Sequence, residues 1–302
     1  MILAALDFQT FSDAIGLGAI YALMAVGIGL VFGVLRLVNF AYGQLIMAGA
    51  YTLAYTSSWP TWASIATCFA VVVALSLTMD LVVFRPLRGQ SPAVMLVTTF
   101  AIAFLLQSVA LIVDIRDGTL GQVTAALTFL NEPVKVFGGD VRKITLVSIA
   151  IAVGALVLLA LLLAKTTIGL HTRAAAQDFR TARLLGIRAN RVIAFAVVLS
   201  GLLAATVALM MTVTLPFVTP DFALRDTIVV LVGVVVGGID RLWTATLGGF
   251  TIGFVSGVLN GLLPTDKTVY LPSAVFTLVI IVLLLRPAGL FNWGRHAAGE
   301  RV

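Results

Sequence analysis

Residues 144–191 read ITLVSIAIAVGALVLLALLLAKTTIGLHTRAAAQDFRTARLLGIRANR, an apolar run followed by a basic polar stretch. The first twenty residues, Ile144 to Leu163, contain no charged side chain. A bilayer core about 30 Å thick is crossed by roughly 20 apolar residues in a helix. The run therefore predicts a transmembrane helix, and the stretch from Lys165 to Arg191, called the polar segment below, predicts a loop on one side of the membrane.

The composition of the whole chain repeats this pattern. Apolar residues make up 61% of the 302 residues and charged residues 11%, against about 45–50% and about 25% in soluble domains. We predict an all-α, polytopic transmembrane helical bundle that occupies residues 1–302 as a single domain. Cys68 is the one cysteine, so disulfides and thiolate metal sites are excluded and we expect no metal. Nucleic-acid binding is not expected either, because the basic residues are scattered through short loops.

The apolar runs, bounded by their polar flanks, predict nine helical segments. The second and seventh are short and are candidates for re-entrant or broken helices, which leaves eight or nine spans. The segments are Phe11 to Leu35, Ala41 to Ser57, Ala63 to Val83, Ala93 to Val113, Ile144 to Leu163, Val192 to Leu215, Thr227 to Gly238, Trp243 to Leu263 and Pro272 to Leu285.

The distribution of basic residues predicts the orientation in the membrane. Nine crossings place the termini on opposite sides, and cytoplasmic loops carry an excess of Lys and Arg. If the polar segment is cytoplasmic, thirteen of the nineteen basic residues are inside and six are outside. The N-terminus is then outside and the C-terminus cytoplasmic. The longest outer loop covers residues 114–143, where the pair Gly138-Gly139 suggests a short hairpin.

Catalytic chemistry is not expected in this chain. Ser256 lies in a Gly-Phe-Val-Ser-Gly sequence, but His171 and His296 both fall outside the predicted spans and are poorly placed to act as its general base. Asp80 lies within a predicted span, near its inner end, where we expect it to pair with Arg85 or Arg88. Without a proton relay within the spans, the energy for transport is expected to come from a partner.

Helical periodicity predicts a short amphipathic helix from Arg173 to Leu185 within the polar segment. Gly186 stands where a C-terminal capping glycine would end it. From periodicity alone, a solvated surface helix is the simplest interpretation. One face carries Ala175, Phe179 and Ala182, and the other carries Arg173, Arg180 and Arg183.

Four stretches, in order along nearly the whole chain, resemble the H-type permease subunits of branched-chain amino acid ABC importers, the high-affinity leucine-isoleucine-valine systems. The first is Gly18-Ala19-Ile20-Tyr21-Ala22-Leu23 with Val38-Asn39-Phe40-Ala41-Tyr42-Gly43-Gln44. The second is Phe84-Arg85-Pro86-Leu87-Arg88. The third is Ala176-Gln177-Asp178 with Ala182-Arg183-Leu184-Leu185-Gly186-Ile187, and the fourth is Gly237-Gly238-Ile239 with Gly248-Gly249.

The resemblance implies a function for the polar segment. In ABC importers this loop carries a pattern of Glu-Ala-Ala, three residues, then Gly, which docks into the ATPase. Ala182 and Gly186 match the pattern, whereas Arg180 replaces the acid. The resemblance thus implies a cytoplasmic coupling loop at 165–191, and we assign the coupling contacts to Arg173, Ala175, Phe179, Arg180, Ala182, Arg183 and Gly186.

The resemblance also implies partners and a location. The chain would work in the bacterial inner membrane, within lipid, beside a second similar permease. Two cytoplasmic ATPases would bind ATP and Mg, since this chain has no phosphate-binding loop and needs no cofactor of its own. A binding protein outside would deliver the solute.

Two breaks in the helical pattern are candidate sites on the solute pathway, because freed backbone groups can line a cavity. One is Arg36 to Asn39, where Asn39 is also a plausible N-cap. The other is the seventh segment, which ends at Gly237-Gly238. The candidate polar residues of the substrate pathway are Asn39, Tyr42, Gln44, Thr98, Thr99 and Gln107. Hydrogen bonds to neighbouring helices are the alternative role for each of them.

A stripe of glycines with a spacing of four predicts a close helix contact in the eighth segment. We interpret it as a packing face, with the interface to the second permease as one option and the lining of the pathway as another. The stripe consists of Gly249, Gly253, Gly257 and Gly261.

The leading hypothesis is a non-catalytic permease subunit of an ABC importer for amino acids, with branched-chain amino acids as the first candidates. An ATP-independent secondary carrier or channel is the alternative, and an intramembrane hydrolase ranks third. The chain departs from the family at Asp240-Arg241-Leu242-Trp243 and at Gln44, which replaces the usual acid. The solute therefore stays open at this point.

Overall fold

The computed structural model describes residues 8–87, 90–119, 121–123, 128–136, 139–177, 179–238 and 241–285, and it is mainly helical. The helices are α1 (Phe8–Leu35), α2 (Tyr42–Tyr55), α3 (Thr61–Met79), α4 (Pro92–Asp117), α5 (Lys143–Lys165), α6 (Thr167–Gln177), α7 (Phe179–Leu184), α8 (Ala189–Thr214), α9 (Leu224–Gly237), α10 (Leu242–Leu262) and α11 (Leu271–Leu285). Four short strands are β1 (Gln122–Val123), β2 (Pro133–Val136), β3 (Gly139–Arg142) and β4 (Phe217–Val218).

Six helices within the described ranges are long and apolar enough to cross a membrane. They are Phe8–Leu35, Thr61–Phe84, Ala93–Asp117, Lys143–Lys165, Asn190–Thr214 and Leu242–Leu262. The all-α, polytopic membrane class predicted from the sequence is therefore confirmed. The count of eight or nine spans and the orientation of the termini stay predictions.

The helices α2 and α9 are the short second and seventh segments of the prediction. Each has 14 residues, which at about 1.5 Å per residue gives roughly 21 Å, less than the ~30 Å of a bilayer core. Both helices are therefore shorter than the six membrane-length helices.

Helix α1 is the centre of the bundle. It is apolar on all sides, a property of fully buried helices, and 83% of its most apolar window is buried. It packs most extensively on α10, and it also contacts α8, α5 and α9. The most buried of the six membrane-length helices is thus surrounded by four others.

Local sequence signals explain where several elements begin and end. Ser91 caps α4, its hydroxyl oxygen accepting a bond from the Val94 N–H at 3.4 Å, with Pro92 in the first turn. Gly118 ends the same helix with a φ of 68°. A π-helical turn, Asp80–Phe84, extends α3. There the buried Asp80 carboxylate pairs with the Arg85 guanidinium at 3.0 Å, one of the two pairings expected from the sequence.

The bundle has two distinct ends. At one end, α1 and α5 begin, α8 and α10 finish, and β2 and β3 form an antiparallel pair over Pro133–Arg142. This hairpin, expected near Gly138-Gly139, gives the hairpin end its name. The segment predicted as the outer loop, residues 114–143, includes the end of α4 at Asp117 and the start of α5 at Lys143. The opposite end carries α6 and α7 and is called the polar-segment end.

Several residues used in the predictions lie outside the described residues. They are Arg88, Gly138, Asp178, Ile239, Asp240 and the residues beyond 285, including Arg286, Arg295, His296, Glu300 and Arg301.

Candidate functional site

The polar segment is helical over Thr167–Gln177 (α6) and Phe179–Leu184 (α7), on either side of Asp178, which lies outside the described residues. Helix α6 begins earlier than predicted, at Thr167, because the Thr166 hydroxyl oxygen accepts a hydrogen bond from the Gly169 N–H at 3.0 Å. Ala175 on α6 and Ala182 on α7 are buried in the core, whereas Arg173 is exposed. Phe179, Arg180 and Arg183 lie on α7, but their side chains lie outside the described part of the chain.

Helix α7 ends as the sequence predicted. Gly186 has a φ of 85°, and the Ile187 N–H donates to the Ala182 carbonyl at 3.1 Å, the pattern of a Schellman cap. The turn leaves Leu184 and Leu185 82% and 78% exposed. Two exposed leucines beside a helix end form an apolar patch at the polar-segment end.

Arg36 connects the polar segment to the break between α1 and α2. It is a non-glycine residue with a φ of 54°, and its guanidinium donates to the Ala176 carbonyl near the end of α6 at 2.7 Å. This hydrogen bond would transmit a movement of α6 directly to Arg36, the residue that follows α1. Sequence reasoning placed a helical break at Arg36 to Asn39 but did not assign Arg36 this contact.

The beginnings of the two short helices, α2 and α9, meet inside the bundle. A Cβ at Gly43 would lie 2.5 Å from the Thr227 hydroxyl oxygen and 2.9 Å from the Ala223 carbonyl oxygen, so the two helices touch there. The Asp226 carboxylate in the first turn of α9 accepts a 2.7 Å hydrogen bond from Tyr21, at the midpoint of the 28-residue α1. The first turns of α2 and α9 thus meet near the midpoint of α1, whereas the predicted break at Gly237-Gly238 lies at the other end of α9, against Thr244 and Gly248 of α10.

The predicted pathway residues at this junction are packed into the core. Asn39 does not cap α2, which begins at Tyr42; its side-chain oxygen accepts instead from the Ala41 N–H at 3.1 Å, in a turn between the helices. Tyr42 is fully buried against Gly27, and Gln44 is also buried. The Tyr42 hydroxyl and the Gln44 carbonyl oxygen have no hydrogen-bond partner among the described residues.

The three predicted pathway residues of α4 are spread along that helix. Thr99 is buried, and its hydroxyl lies 2.9 Å from the Leu96 carbonyl and 3.4 Å from the Val38 carbonyl at the α1–α2 break. Thr98 donates to the Val94 carbonyl of its own helix at 2.7 Å. Gln107 is half-buried two turns further along. Thr99 therefore joins Asn39 near the break, whereas Thr98 and Gln107 do not.

The glycine stripe of α10 faces α1 of the same chain. A Cβ at Gly253 would lie 2.8 Å from the Gly18 Cα, and one at Gly257 would lie 2.5 Å from the Ala14 Cα. Gly249 lies against Tyr21 and Ala25 in the same way, and Gly261 lies against Thr10. The contact partner is thus α1, which replaces the proposed interface with a second permease.

A cavity of about 350 Å³ opens at the hairpin end, and none of the six predicted pathway residues lines it. Its polar side chains include Asp13 and Arg142, which form an ion pair at 2.6 Å, together with Thr145, Ser148 and Asn260. Sequence reasoning missed this group because Arg142 was assigned to a loop. The available signal was Asp13, an acid just inside the first apolar run.

The chain is similar to known permease proteins over nearly its whole length. Residues 10–285 match the family described as branched-chain amino acid transport system / permease component. LivH of Salmonella typhimurium, a permease protein of a high-affinity branched-chain amino acid transport system, is 26% identical over 296 residues, or 94% of this chain and 95% of LivH.

Two further relatives carry similar descriptions. BraD of Pseudomonas aeruginosa, also a high-affinity branched-chain amino acid permease protein, is 27% identical, with the same shares of both chains covered. The probable LivH of Methanocaldococcus jannaschii is 28% identical over 281 residues, or 89% of this chain and 87% of that one. No solved structure matches the chain significantly. Since the family match extends from the first turn of α1 to the end of α11, the chain belongs to the permease components of branched-chain amino acid transport systems.

Proposed function

We propose that this chain is a transmembrane permease subunit of an ABC importer in the bacterial inner membrane. With a second similar permease it forms the pathway for branched-chain amino acids, which an external binding protein delivers. Two cytoplasmic ATPases bind ATP and Mg and supply the energy, so the chain itself is not an enzyme. The observation that carries the proposal is the family match over residues 10–285.

The polar-segment end supports the part of the proposal that concerns the ATPases. Leu184 and Leu185 are exposed at the end of α7. Exposed apolar side chains grouped with polar ones are typical of protein interfaces. The Arg36 contact to Ala176 then gives the docked ATPase a direct mechanical connection to the end of α1.

The mid-depth junction supports the part that concerns the pathway. Transporter sites often lie where short helices end near the middle of the membrane, because backbone N–H groups there are free to bind solute. The first turns of α2 and α9 meet at such a point, beside the Tyr21–Asp226 hydrogen bond. We place the constriction of the pathway at this junction.

Reconstitution in liposomes tests the proposal. The chain is purified with its second permease and ATPases, and uptake of labelled L-leucine is followed with the binding protein outside and ATP on the ATPase side. We expect uptake that requires all components and ATP hydrolysis. Uptake of leucine by this chain alone, unaffected by ATP, would instead establish the secondary carrier.

Docking is tested separately by replacing the two exposed leucines. Leu184→Gln with Leu185→Gln should reduce ATPase co-purification while the permease still inserts and elutes as a single species. Val269→Gln is the matched control, because Val269 is also 82% exposed but precedes α11 at the opposite end of the bundle. Equal loss of ATPase in both variants would count against docking at α7.

A further inference from the structure

The cavity at the hairpin end has the size and location of a solute site. Its volume of about 350 Å³ lies near the lower end of the roughly 300–1,000 Å³ of small-molecule sites. The first turns of α1 and α5 and the last turns of α8 and α10 surround it. Because α5 and α8 also flank the polar segment, the cavity lies at the opposite end of the bundle, which faces outward under the proposed function.

The charged groups of the cavity form one compact pair. The Arg142 guanidinium donates to one Asp13 carboxylate oxygen at 2.6 Å, and the Thr145 hydroxyl donates to the other at 3.0 Å. Arg142 and Asp13 are 39% and 26% exposed, so both remain accessible from the cavity. Opposite charges that are held side by side and partly solvated can exchange their mutual contact for a ligand that carries both charges.

The cavity also contains hydrogen-bonding capacity that the described residues do not use. The Ser148 hydroxyl is buried, lines the cavity and has no hydrogen-bond partner among them. The Arg142 Nε is likewise buried without a partner in the described part of the chain. Buried polar groups are normally satisfied, so two such groups beside one cavity indicate that a ligand completes them.

Apart from Thr10, Thr214 and Asn260, the remaining wall of the cavity is apolar. Leu17 and Ile20 of α1, Ile144 of α5 and Leu215 after α8 supply it, next to the small residues Gly16 and Gly257. Such a wall excludes water from an aliphatic side chain but offers no partner to a charged one. The cavity therefore combines one charged end with one apolar side.

We propose that the hairpin-end cavity is an outer binding site for a zwitterionic aliphatic amino acid, an assignment that rests on the proposed function. The Arg142 guanidinium and the Ser148 hydroxyl bind the ligand carboxylate, and Asp13 binds the ammonium group. The Leu17 and Ile20 side chains contact the aliphatic side chain. Binding opens the Asp13–Arg142 ion pair and replaces it with two ion pairs to the ligand, so no charge is left unpaired.

Equilibrium binding to the assembled permeases and ATPases in lipid nanodiscs tests this site without ATP or binding protein. The probe is labelled L-leucine, in competition with leucinamide, which lacks the carboxylate, and 4-methylpentanoate, which lacks the ammonium group. We expect both analogues to bind about tenfold or more weakly than leucine, since each loses one charged partner. Analogues that bind as tightly as leucine would overturn the assignment.

Variants connect each charge to its residue. Asp13→Asn should weaken leucine about tenfold but should not weaken 4-methylpentanoate, which has no ammonium group to lose. Arg142→Gln should weaken leucine but not leucinamide. Ser148→Ala tests the site without breaking the ion pair, in case loss of the ion pair prevents folding, because Ser148 has no hydrogen-bond partner among the described residues to lose. This variant should lower the affinity for leucine several-fold. Unchanged leucine binding in folded Ser148→Ala and Asp13→Asn assemblies would refute the site.

The same preparations separate this inference from the proposed function. ATP-driven leucine uptake by the wild-type assembly, with leucine binding that the cavity variants do not alter, would overturn the site and leave the proposed function standing. A wild-type chain that neither retains ATPases nor transports leucine would overturn the proposed function itself.

Discussion

Substitution of Gly253 by alanine tests the close contact between α1 and α10. The new Cβ would lie 2.8 Å from the Gly18 Cα and 2.8 Å from the Leu17 carbonyl oxygen, both backbone atoms that cannot rotate away. Carbon atoms normally approach to about 3.5–4.0 Å, so the two helices must separate by roughly 0.7–1.2 Å. Such a gap removes about a quarter to a half of the attraction of each affected atom pair.

The expected loss follows from comparison with a glycine that has space around it. Overpacking of this kind costs about 1–3 kcal/mol, and the higher helix propensity of alanine returns about 0.5–1 kcal/mol. Gly154 on α5 is the matched control, since nothing lies within 4 Å of its added Cβ. Gly154→Ala should therefore raise the free energy of unfolding by the helix-propensity gain of alanine alone, about 0.5–1 kcal/mol. The free energies of unfolding of the two variants should therefore differ by about 1–3 kcal/mol, with Gly253→Ala the less stable.

The measurement is thermal stability of the purified permease in detergent, followed by the loss of the monodisperse peak in size-exclusion chromatography. At about 2–4 °C per kcal/mol, Gly253→Ala should melt several degrees below Gly154→Ala. Equal melting temperatures would refute the reasoning, because they would show that α1 and α10 adjust without loss or do not touch at Gly253.

Three further predictions concern single contacts. Arg36→Ala should lower leucine uptake per ATP hydrolysed by roughly two- to tenfold, because the hydrogen bond to the Ala176 carbonyl, worth about 0.5–1.5 kcal/mol, is lost. Retention of the ATPases should be unchanged, and Arg116→Ala is the control in the same liposome assay. Tyr21→Phe should destabilise the permease by about 1.5–3 kcal/mol, because the Asp226 carboxylate loses its hydrogen bond; the exposed Tyr270→Phe should not, and equal melting curves would contradict this. Cys68, buried with its thiol 3.5 Å from the Gly49 carbonyl, should react with a maleimide only after denaturation in detergent, whereas Val269→Cys on a Cys68→Ser background should react in the folded permease.

The membrane-length helices were predicted well because one physical quantity sets their limits. Charged side chains at both flanks mark where the hydrocarbon ends, and the predicted segment Ile144 to Leu163 is observed as Lys143–Lys165. The segment Trp243 to Leu263 is observed as Leu242–Leu262 for the same reason. In contrast, the start of the helix in the polar segment was not predicted, because the capping of α6 by Thr166 depends on a local turn that periodicity does not report.

The candidate site was less predictable, because its members are distant in sequence. Asp13 and Arg142 are 129 residues apart, and Tyr21 and Asp226 are 205 apart. The charged residues Asp13, Arg142 and Asp226 each stand at the edge of an apolar run, where a solvated position is the simplest expectation. No local pattern indicates that another helix end lies beside it.

By itself, the sequence determined that this chain is an all-α membrane protein, where its apolar helices lie, and which family it resembles. These properties depend on the free energy of transferring side chains from water to hydrocarbon, and this free energy adds up residue by residue along the chain. Only the tertiary structure decided that the stripe beginning at Gly249 packs on α1, that α2 and α9 meet beside Asp226, and that Asp13 pairs with Arg142 in the wall of a cavity. Those contacts depend on how helices pack against one another, and shape complementarity between distant segments has no signature in either segment alone.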